Sequence, residues 1–123
     1  MKINYKTLTI SAIALLIVDS FYLSSFGKSL FDKMVKSIQG SSIQINLLGA
    51  ILSYVCLIVL LNYFVLQKNG SLMDAFILGF CVYGVFDATN LAIFKNYNFS
   101  IGLIDSIWGG VLFTLVTYIN RLF

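Results

Sequence analysis

The stretch "YGVFDATNLAIFKNYNFSIGLIDSIWGG", Tyr83–Gly110, carries most of the information about the fold. Two apolar runs flank the polar segment "KNYN", and a connection this short makes the two runs antiparallel neighbours. Each run nevertheless contains an aspartate, Asp87 in the first and Asp105 in the second. An aspartate at the centre of a membrane helix costs about 2.5–3.5 kcal/mol. Ionisable groups in such runs are therefore the first candidates for a functional site.

The composition of the whole chain is that of a membrane protein. Of its 123 residues, 59% are hydrophobic and only 11% are charged, whereas a soluble domain has about 25% charged residues. Spanning a bilayer takes roughly 20 apolar residues per helix. Four stretches reach that length: Thr7–Phe26, Ile43–Leu66, Leu72–Phe94 and Phe99–Ile119. We predict a single all-α domain over residues 1–123, an integral membrane four-helix bundle.

The first stretch is compatible in length with a membrane helix and in its basic start with a signal peptide. Its basic start is typical of a signal peptide, but the apolar run is long, contains Asp19 and precedes no clear cleavage pattern. We expect a retained membrane helix.

The connections predict further local structure. Asn69-Gly70 is a turn dipeptide between spans two and three, and Ser71 with Asp74 forms a capping-box pattern at the start of span three. The long connection 27–42 has apolar residues at helical spacing opposite lysines. This pattern is typical of a short helix in the membrane interface, or equally of an amphipathic loop helix packed on the bundle.

Membrane orientation does not follow from the charges. Four spans place both termini on one side, here named side A, with side B opposite. Four basic residues lie on each side, so the positive-inside rule does not decide between the two orientations.

Three aspartates are predicted to lie at one depth. Asp19 and Asp87 each come seven residues before the side-B end of their span. Asp105 comes six residues after the side-B start of span four. At 1.5 Å per residue, the three carboxyl groups lie about 9–10 Å inside side B. We therefore predict a cluster of carboxyl groups in the side-B half of the bundle.

Each aspartate shares a helix face with a second polar or aromatic residue, because positions three or four apart are neighbours on a helix. These partners are Tyr22 for Asp19, Tyr83 and Asn90 for Asp87, and Trp108 for Asp105. Two lysines just beyond the side-B boundary, Lys28 and Lys95, are candidate charge partners that could reach inward.

Glycines are concentrated in spans three and four. Small residues let membrane helices approach closely, and we expect this packing role for five of them: Gly79, Gly84, Gly102, Gly109 and Gly110.

Two functional interpretations follow from the aspartates. In the first, the cluster binds or conducts a small cation, a proton or a polar headgroup, and transport is an activity compatible with it. An all-oxygen site for a hard divalent metal belongs to this interpretation, although the identity of any metal stays open. In the second, a structural protein of a cellular or viral membrane uses the aspartates only to specify helix packing.

Other functions are disfavoured. The chain has no histidine and no recognisable serine triad or phosphate-binding glycine loop, which argues against an enzyme. No basic stripe with interleaved aromatic residues suggests nucleic-acid binding. We expect no cofactor. The expected partners are the lipid bilayer and the ligand classes named above, with a homo-oligomer as a further option.

The opening stretch resembles a family of small predicted multi-pass membrane proteins, the domain of unknown function DUF2177. The residues that carry the resemblance are Tyr83, Gly84, Asp87, Thr89, Asn90, Ala92, Tyr97, Asp105, Trp108 and Gly109. The first span is similar to the family's Asp-x-x-Trp more weakly, because Tyr22 replaces the tryptophan. The resemblance implies a four-helix membrane bundle and no particular activity.

Overall fold

A computed structural model describes residues 2–123, and the part of the chain that it describes contains helices and no strands. There are five α-helices: α1 Tyr5–Tyr22, α2 Lys28–Gln39, α3 Leu47–Phe64, α4 Leu72–Ile93 and α5 Phe99–Leu122. A π-helical segment, Leu23–Gly27, joins α1 to α2, and a 3₁₀ turn, Leu66–Lys68, follows α3. Four helical segments are long and apolar enough to cross a membrane, Tyr5–Ser25, Leu47–Lys68, Leu72–Ile93 and Phe99–Leu122. The predicted all-α membrane bundle is confirmed.

A polar N-cap starts each of the four long helices. The side chains of Asn4, Asn46, Ser71 and Asn98 each accept a hydrogen bond from a backbone N–H in the first turn, which satisfies donors that a helix start leaves unpaired. At α4 the predicted capping box is confirmed, because Asp74 also accepts from the Ser71 backbone at 2.9 Å. The cap at Asn46 also explains why α3 begins later than the apolar run at Ile43.

Hydrogen bonds between distant segments identify the two ends of the bundle. At side A, the Asn4 backbone donates to the Gln67 side chain at 2.7 Å, and the Arg121 guanidinium donates to the carbonyl oxygen of Gly70. The start of α1, the α3–α4 turn and the end of α5 therefore meet there. At side B, the Asn96 side chain donates to the carbonyl oxygen of Ser37 at 3.2 Å.

Helix α5 is the centre of the bundle and packs against both α4 and α1, while α3 packs mainly on α1. The contact between α4 and α5 is the most extensive, as the short "KNYN" connection predicts. A Cβ at Gly79 would overlap the carbonyl oxygen of Gly109, so these two glycines let the backbones touch. The packing role expected for them is confirmed. It is not found at Gly84, where a Cβ would meet no atom closer than 3.9 Å.

The short helix predicted between spans one and two is confirmed as α2, which continues from α1 through the π-helical segment. Its Met34 sulfur accepts a hydrogen bond from the Asn98 backbone at 3.1 Å. This contact places α2 at the side-B end of the bundle, beside the start of α5.

Candidate functional site

Asp19 lies at the junction of α1, α3 and α5 and is 6% exposed. One carboxylate oxygen accepts from the Tyr54 hydroxyl at 2.5 Å, and the other accepts from the Trp108 indole N–H at 3.0 Å. Indole N–H is a donor only, so the Asp19 oxygen that contacts Trp108 is an acceptor. Asp19 is thus a hydrogen-bond acceptor that connects α1 to α3 and α5.

Asp87 is on α4, faces α5 and the α4–α5 connection, and is 3% exposed. The Tyr97 hydroxyl donates to Oδ1 at 2.6 Å, and the Ser106 hydroxyl lies 3.3 Å from Oδ2 while also donating to the Gly102 carbonyl oxygen at 2.9 Å. Gly102 permits this approach, because a Cβ there would already contact Asp87 and Tyr97 at 3.4 Å.

Asp105 is 8% exposed and lies beside Asp87. An ionised carboxylate only accepts hydrogen bonds, so two neighbouring carboxyl groups can hydrogen-bond to each other only when one of them carries a proton. The Tyr97 hydroxyl already donates to Asp87, so Asp105 is the carboxyl group placed to hold such a proton.

Aromatic rings fill the space between Asp19 and the Asp87–Asp105 pair. The rings of Tyr22 and Trp108 stack with centroids 4.3 Å apart and planes 5° from parallel. Tyr83 is half-buried and packs its ring on Gly109. These three aromatic residues and the three aspartates form one layer, which we call the aspartate layer.

The Asn90 side chain lies near the Tyr97 hydroxyl at the edge of this layer. Burial raises the pKa of the Tyr97 hydroxyl above its usual range, and the hydrogen bond to Asp87 acts in the same direction. Tyr97 lies in the connection outside the membrane-spanning segments and keeps its proton at neutral pH, so it remains a donor to Asp87.

The predicted charge partners lie apart from the carboxyl groups. Lys28 and Lys95 are exposed, and neither forms a salt bridge with a site aspartate in the part of the chain that the structure describes, where Lys36 pairs with Asp32 at 3.5 Å. Residues 2–123 also contain no group of three or more acidic, cysteine or histidine side chains placed to hold a metal ion. The donors around the aspartates are neutral hydroxyl and indole groups.

Tyr54 and Ser106 contact the aspartates although the sequence analysis did not select them. Tyr54 lies seven residues after the side-B start of α3, which is the depth already assigned to the aspartates. Counted from the predicted span start at Ile43, Tyr54 lies eleven residues in, so the later start of α3 is what brings it to this depth. Ser106 follows Asp105 directly but points to Asp87, a direction that depends on how α4 and α5 are rotated.

A second polar network on side A was also missed. The Asn62 side chain donates to the Ser11 hydroxyl at 3.0 Å, and Gln67 donates to Asn62 at 3.0 Å. Ser11 and Asn62 are buried. Between Ser11 and Asp19 on α1 lies Leu15, which belongs to the same fully buried cluster as Leu112 and Phe113 of α5; we call these three side chains the apolar layer.

Comparison with known proteins agrees with this architecture. No curated protein and no solved structure matches the chain. The model of the predicted membrane protein family DUF2177 matches residues 4–122, which include all five helices. The match and the four apolar helices make this an integral, multi-pass membrane protein, and the chain belongs to the DUF2177 family of predicted membrane proteins.

Proposed function

We propose that the protein is a small proton-linked membrane carrier whose proton-binding site is the Asp87–Asp105 pair. The observation that carries the proposal is the burial of two neighbouring carboxyl groups on α4 and α5, which are 3% and 8% exposed and form no salt bridge with a basic residue in the part of the chain that the structure describes. A pair that shares one proton can release it or take up a second, and carboxyl groups inside membrane bundles are the usual groups for such exchange.

The surroundings of the pair favour exchange with side B. Asp87 is connected to Tyr97 at 2.6 Å, and Tyr97 lies in the α4–α5 connection at that end of the bundle. In the opposite direction lie the fully buried side chains of Leu15 and Leu112, which have no hydrogen-bonding group. We therefore assign the described conformation to the side-B-accessible state of the carrier.

Infrared spectroscopy of the purified protein tests whether the pair holds a proton. We expect a protonated-carboxyl band at neutral pH that is lost in Asp105→Asn and retained in Asp32→Asn. The latter is a matched control, because Asp32 lies on α2 outside the aspartate layer. Absence of the band from the wild type would refute the shared proton.

Proton flux provides the functional test. In proteoliposomes containing a trapped pH indicator, the wild type and Asp32→Asn are expected to equilibrate an imposed pH difference faster than empty liposomes when substrate is supplied as a membrane extract. Asp87→Asn and Asp105→Asn should lose this effect while retaining the helical circular dichroism of the wild type. Equal rates for all four proteins would contradict the carrier proposal.

A structural role is the second candidate. It is favoured by the donors around Asp19 and Asp87, which connect α1 to α3 and α5, and α4 to α5. In that case the aspartates of a cellular or viral membrane protein would only specify helix packing. Asp87→Asn and Asp105→Asn would then lower stability in proportion to lost hydrogen bonds, and the wild type would move no protons.

A further inference from the structure

Helix α2 separates its charged and apolar residues onto opposite faces. At about 100° of rotation per residue, the charged residues fall within an arc of about 140°; they are Lys28, Asp32, Lys33 and Lys36. The apolar residues fall within a similar arc on the opposite face, and they are Leu30, Phe31, Met34, Val35 and Ile38. This complete separation is typical of a helix that lies along the membrane surface, at the boundary between headgroups and lipid tails.

Two hydrogen bonds place α2 at the level of the side-B membrane boundary. The Asn98 backbone donates to the Met34 sulfur at 3.1 Å, and the Asn96 side chain donates to the carbonyl oxygen of Ser37 at 3.2 Å. Asn96 and Asn98 lie in the connection between α4 and α5, so this part of α2 lies where those two spans end. At its other end, α2 begins shortly after the first membrane-spanning segment ends.

The apolar face of α2 is turned toward the protein, and its charged face is turned away. Met34 is 5% exposed and the other apolar residues of α2 are partly buried, whereas three lysines are exposed: Lys28, Lys33 and Lys36, which we call the basic face. With three lysines and one aspartate, α2 has a net charge of +2. Lys36 pairs with Asp32 at 3.5 Å, but neither Lys28 nor Lys33 forms a salt bridge in the part of the chain that the structure describes.

The basic residues at side A are placed differently. The Lys68 ammonium group lies 4.4 Å from the centroid of the Tyr63 ring, and the Arg121 guanidinium donates to a backbone carbonyl oxygen of the α3–α4 turn. Both cations thus contact the protein itself. The other two basic residues at side A, Lys2 and Lys6, are exposed near the start of α1 and do not lie on a helix along the membrane surface. They provide a matched comparison for the basic face.

We propose that the basic face of α2 binds the headgroups of anionic phospholipids. The membrane spans place α2 beside the lipid headgroups, and lysines at that depth attract anionic lipid. A zwitterionic lipid has its own cation and leaves the net charge of α2 uncompensated, whereas an anionic lipid neutralises it. The flexible stems of lysine let the ammonium groups reach the phosphates while the apolar face stays against the protein and the lipid tails. The inference goes beyond the proposed function and does not depend on the aspartate layer.

Fluorescence anisotropy of a labelled phosphatidylglycerol tests this inference with the purified protein in a neutral detergent. Unlabelled phosphatidylglycerol should compete better than phosphatidylcholine with the same acyl chains. One lysine near anionic lipid contributes enough to change affinity by about fivefold, so we expect at least that preference. The preference should decrease as salt is raised from about 0.1 M to about 1 M, because ions screen exposed charges. Equal competition by the two lipids at the lower salt concentration would overturn the proposal.

Two double variants locate the binding face. Lys28→Gln with Lys33→Gln removes two charges from α2, and Lys2→Gln with Lys6→Gln removes two charges from side A. The first should lower the affinity for phosphatidylglycerol by at least about fivefold, and the second should retain the wild-type affinity. Equal affinities of the two double variants would show that only the total charge matters and would refute the assignment to α2.

A variant with a gain in charge separates lost binding from lost folding. Ser37 is exposed on α2, one turn after Lys33, so Ser37→Lys enlarges the basic face. The affinity for phosphatidylglycerol should rise, which a misfolded protein would not show. An affinity no higher than that of the wild type would contradict binding at this face.

Glycerol phosphate separates a lipid from a free phosphate as the source of the anion. It has the phosphate group but no acyl chains, and burial of acyl chains contributes strongly to membrane binding. It should therefore compete at least about tenfold less well than phosphatidylglycerol. Equal competition by glycerol phosphate would refute a lipid as the occupant.

Discussion

The contacts of Asp19 allow a quantitative test of how the bundle is held together. Tyr54→Phe removes the hydroxyl that α3 donates to Asp19 at 2.5 Å. Hydrogen bonds between membrane helices average about 0.6 kcal/mol and reach about 1.7 kcal/mol, whereas those to charged groups contribute about 1.5–3 kcal/mol. Because both neighbours of Asp19 donate to it, we expect the larger value. Tyr54→Phe should lower the free energy of unfolding by about 1.5–3 kcal/mol.

A double-mutant cycle isolates the pair. In an Asp19→Asn background the acceptor is neutral, and Tyr54→Phe should then cost only about 0.6 kcal/mol. The difference between the two backgrounds is the coupling energy of the pair. Unfolding measured by steric trapping in bicelles gives all four free energies. Tyr118→Phe is the matched control, since Tyr118 is 51% exposed on α5. A Tyr54→Phe cost equal to that of Tyr118→Phe in both backgrounds would refute the reasoning.

Three further predictions concern other parts of the fold. Gly109→Ala should destabilise the bundle by about 1–3 kcal/mol through overpacking, because a Cβ would lie 2.6 Å from a carbonyl oxygen of α4, while Gly84→Ala should be nearly neutral in the same unfolding assay. Ser71→Ala should cost about 1 kcal/mol by removing the cap of α4, again measured by unfolding; an unchanged value would contradict the capping role. Burial and the hydrogen bond to Asp87 raise the pKa of Tyr97. The stabilisation from the protonated Tyr97 hydroxyl is therefore complete below the ordinary tyrosine pKa of about 10, and it is lost as the pH rises toward the pKa of the folded state. Unfolding measured across this alkaline range should therefore show less pH dependence in Tyr97→Phe than in the wild type, and identical slopes would contradict this assignment.

The fold could be predicted largely from composition and local signals. Runs of about 20 apolar residues identify membrane helices because lipid leaves no other way to satisfy the backbone. The start of α4 at Ser71 follows from its capping pattern. The helix starts at Asn46 and Asn98 use a lone asparagine, which in sequence resembles any loop asparagine. The π-helical segment between α1 and α2, Leu23–Gly27, has no proline or other strong signal in the sequence.

The position of the aspartates along the bundle axis was predictable from the sequence, but the direction in which each side chain points was not. A count of residues along each span places the three aspartates at one level, since helix rise is constant. Which donor each carboxyl group meets depends on the rotation of each helix about its axis, and packing alone sets that rotation. This is why Ser106 was missed. Tyr54 was missed because α3 starts at Leu47, later than the predicted span. Lys28, a candidate charge partner, forms no salt bridge with a site aspartate in the described residues.

The distribution of polar groups along the bundle axis limits how the protein can work. Ser11 and Asp19 are two helical turns apart on α1, and the fully buried Leu15 lies between them. A proton moving from the aspartate layer to the side-A network would have to pass the fully buried side chains of Leu15, Leu112 and Phe113, none of which can accept it. A continuous channel is therefore inconsistent with the described packing. If protons cross the membrane through this protein, the helices must rearrange so that the apolar layer opens after access from side B has closed, which is the behaviour of a carrier.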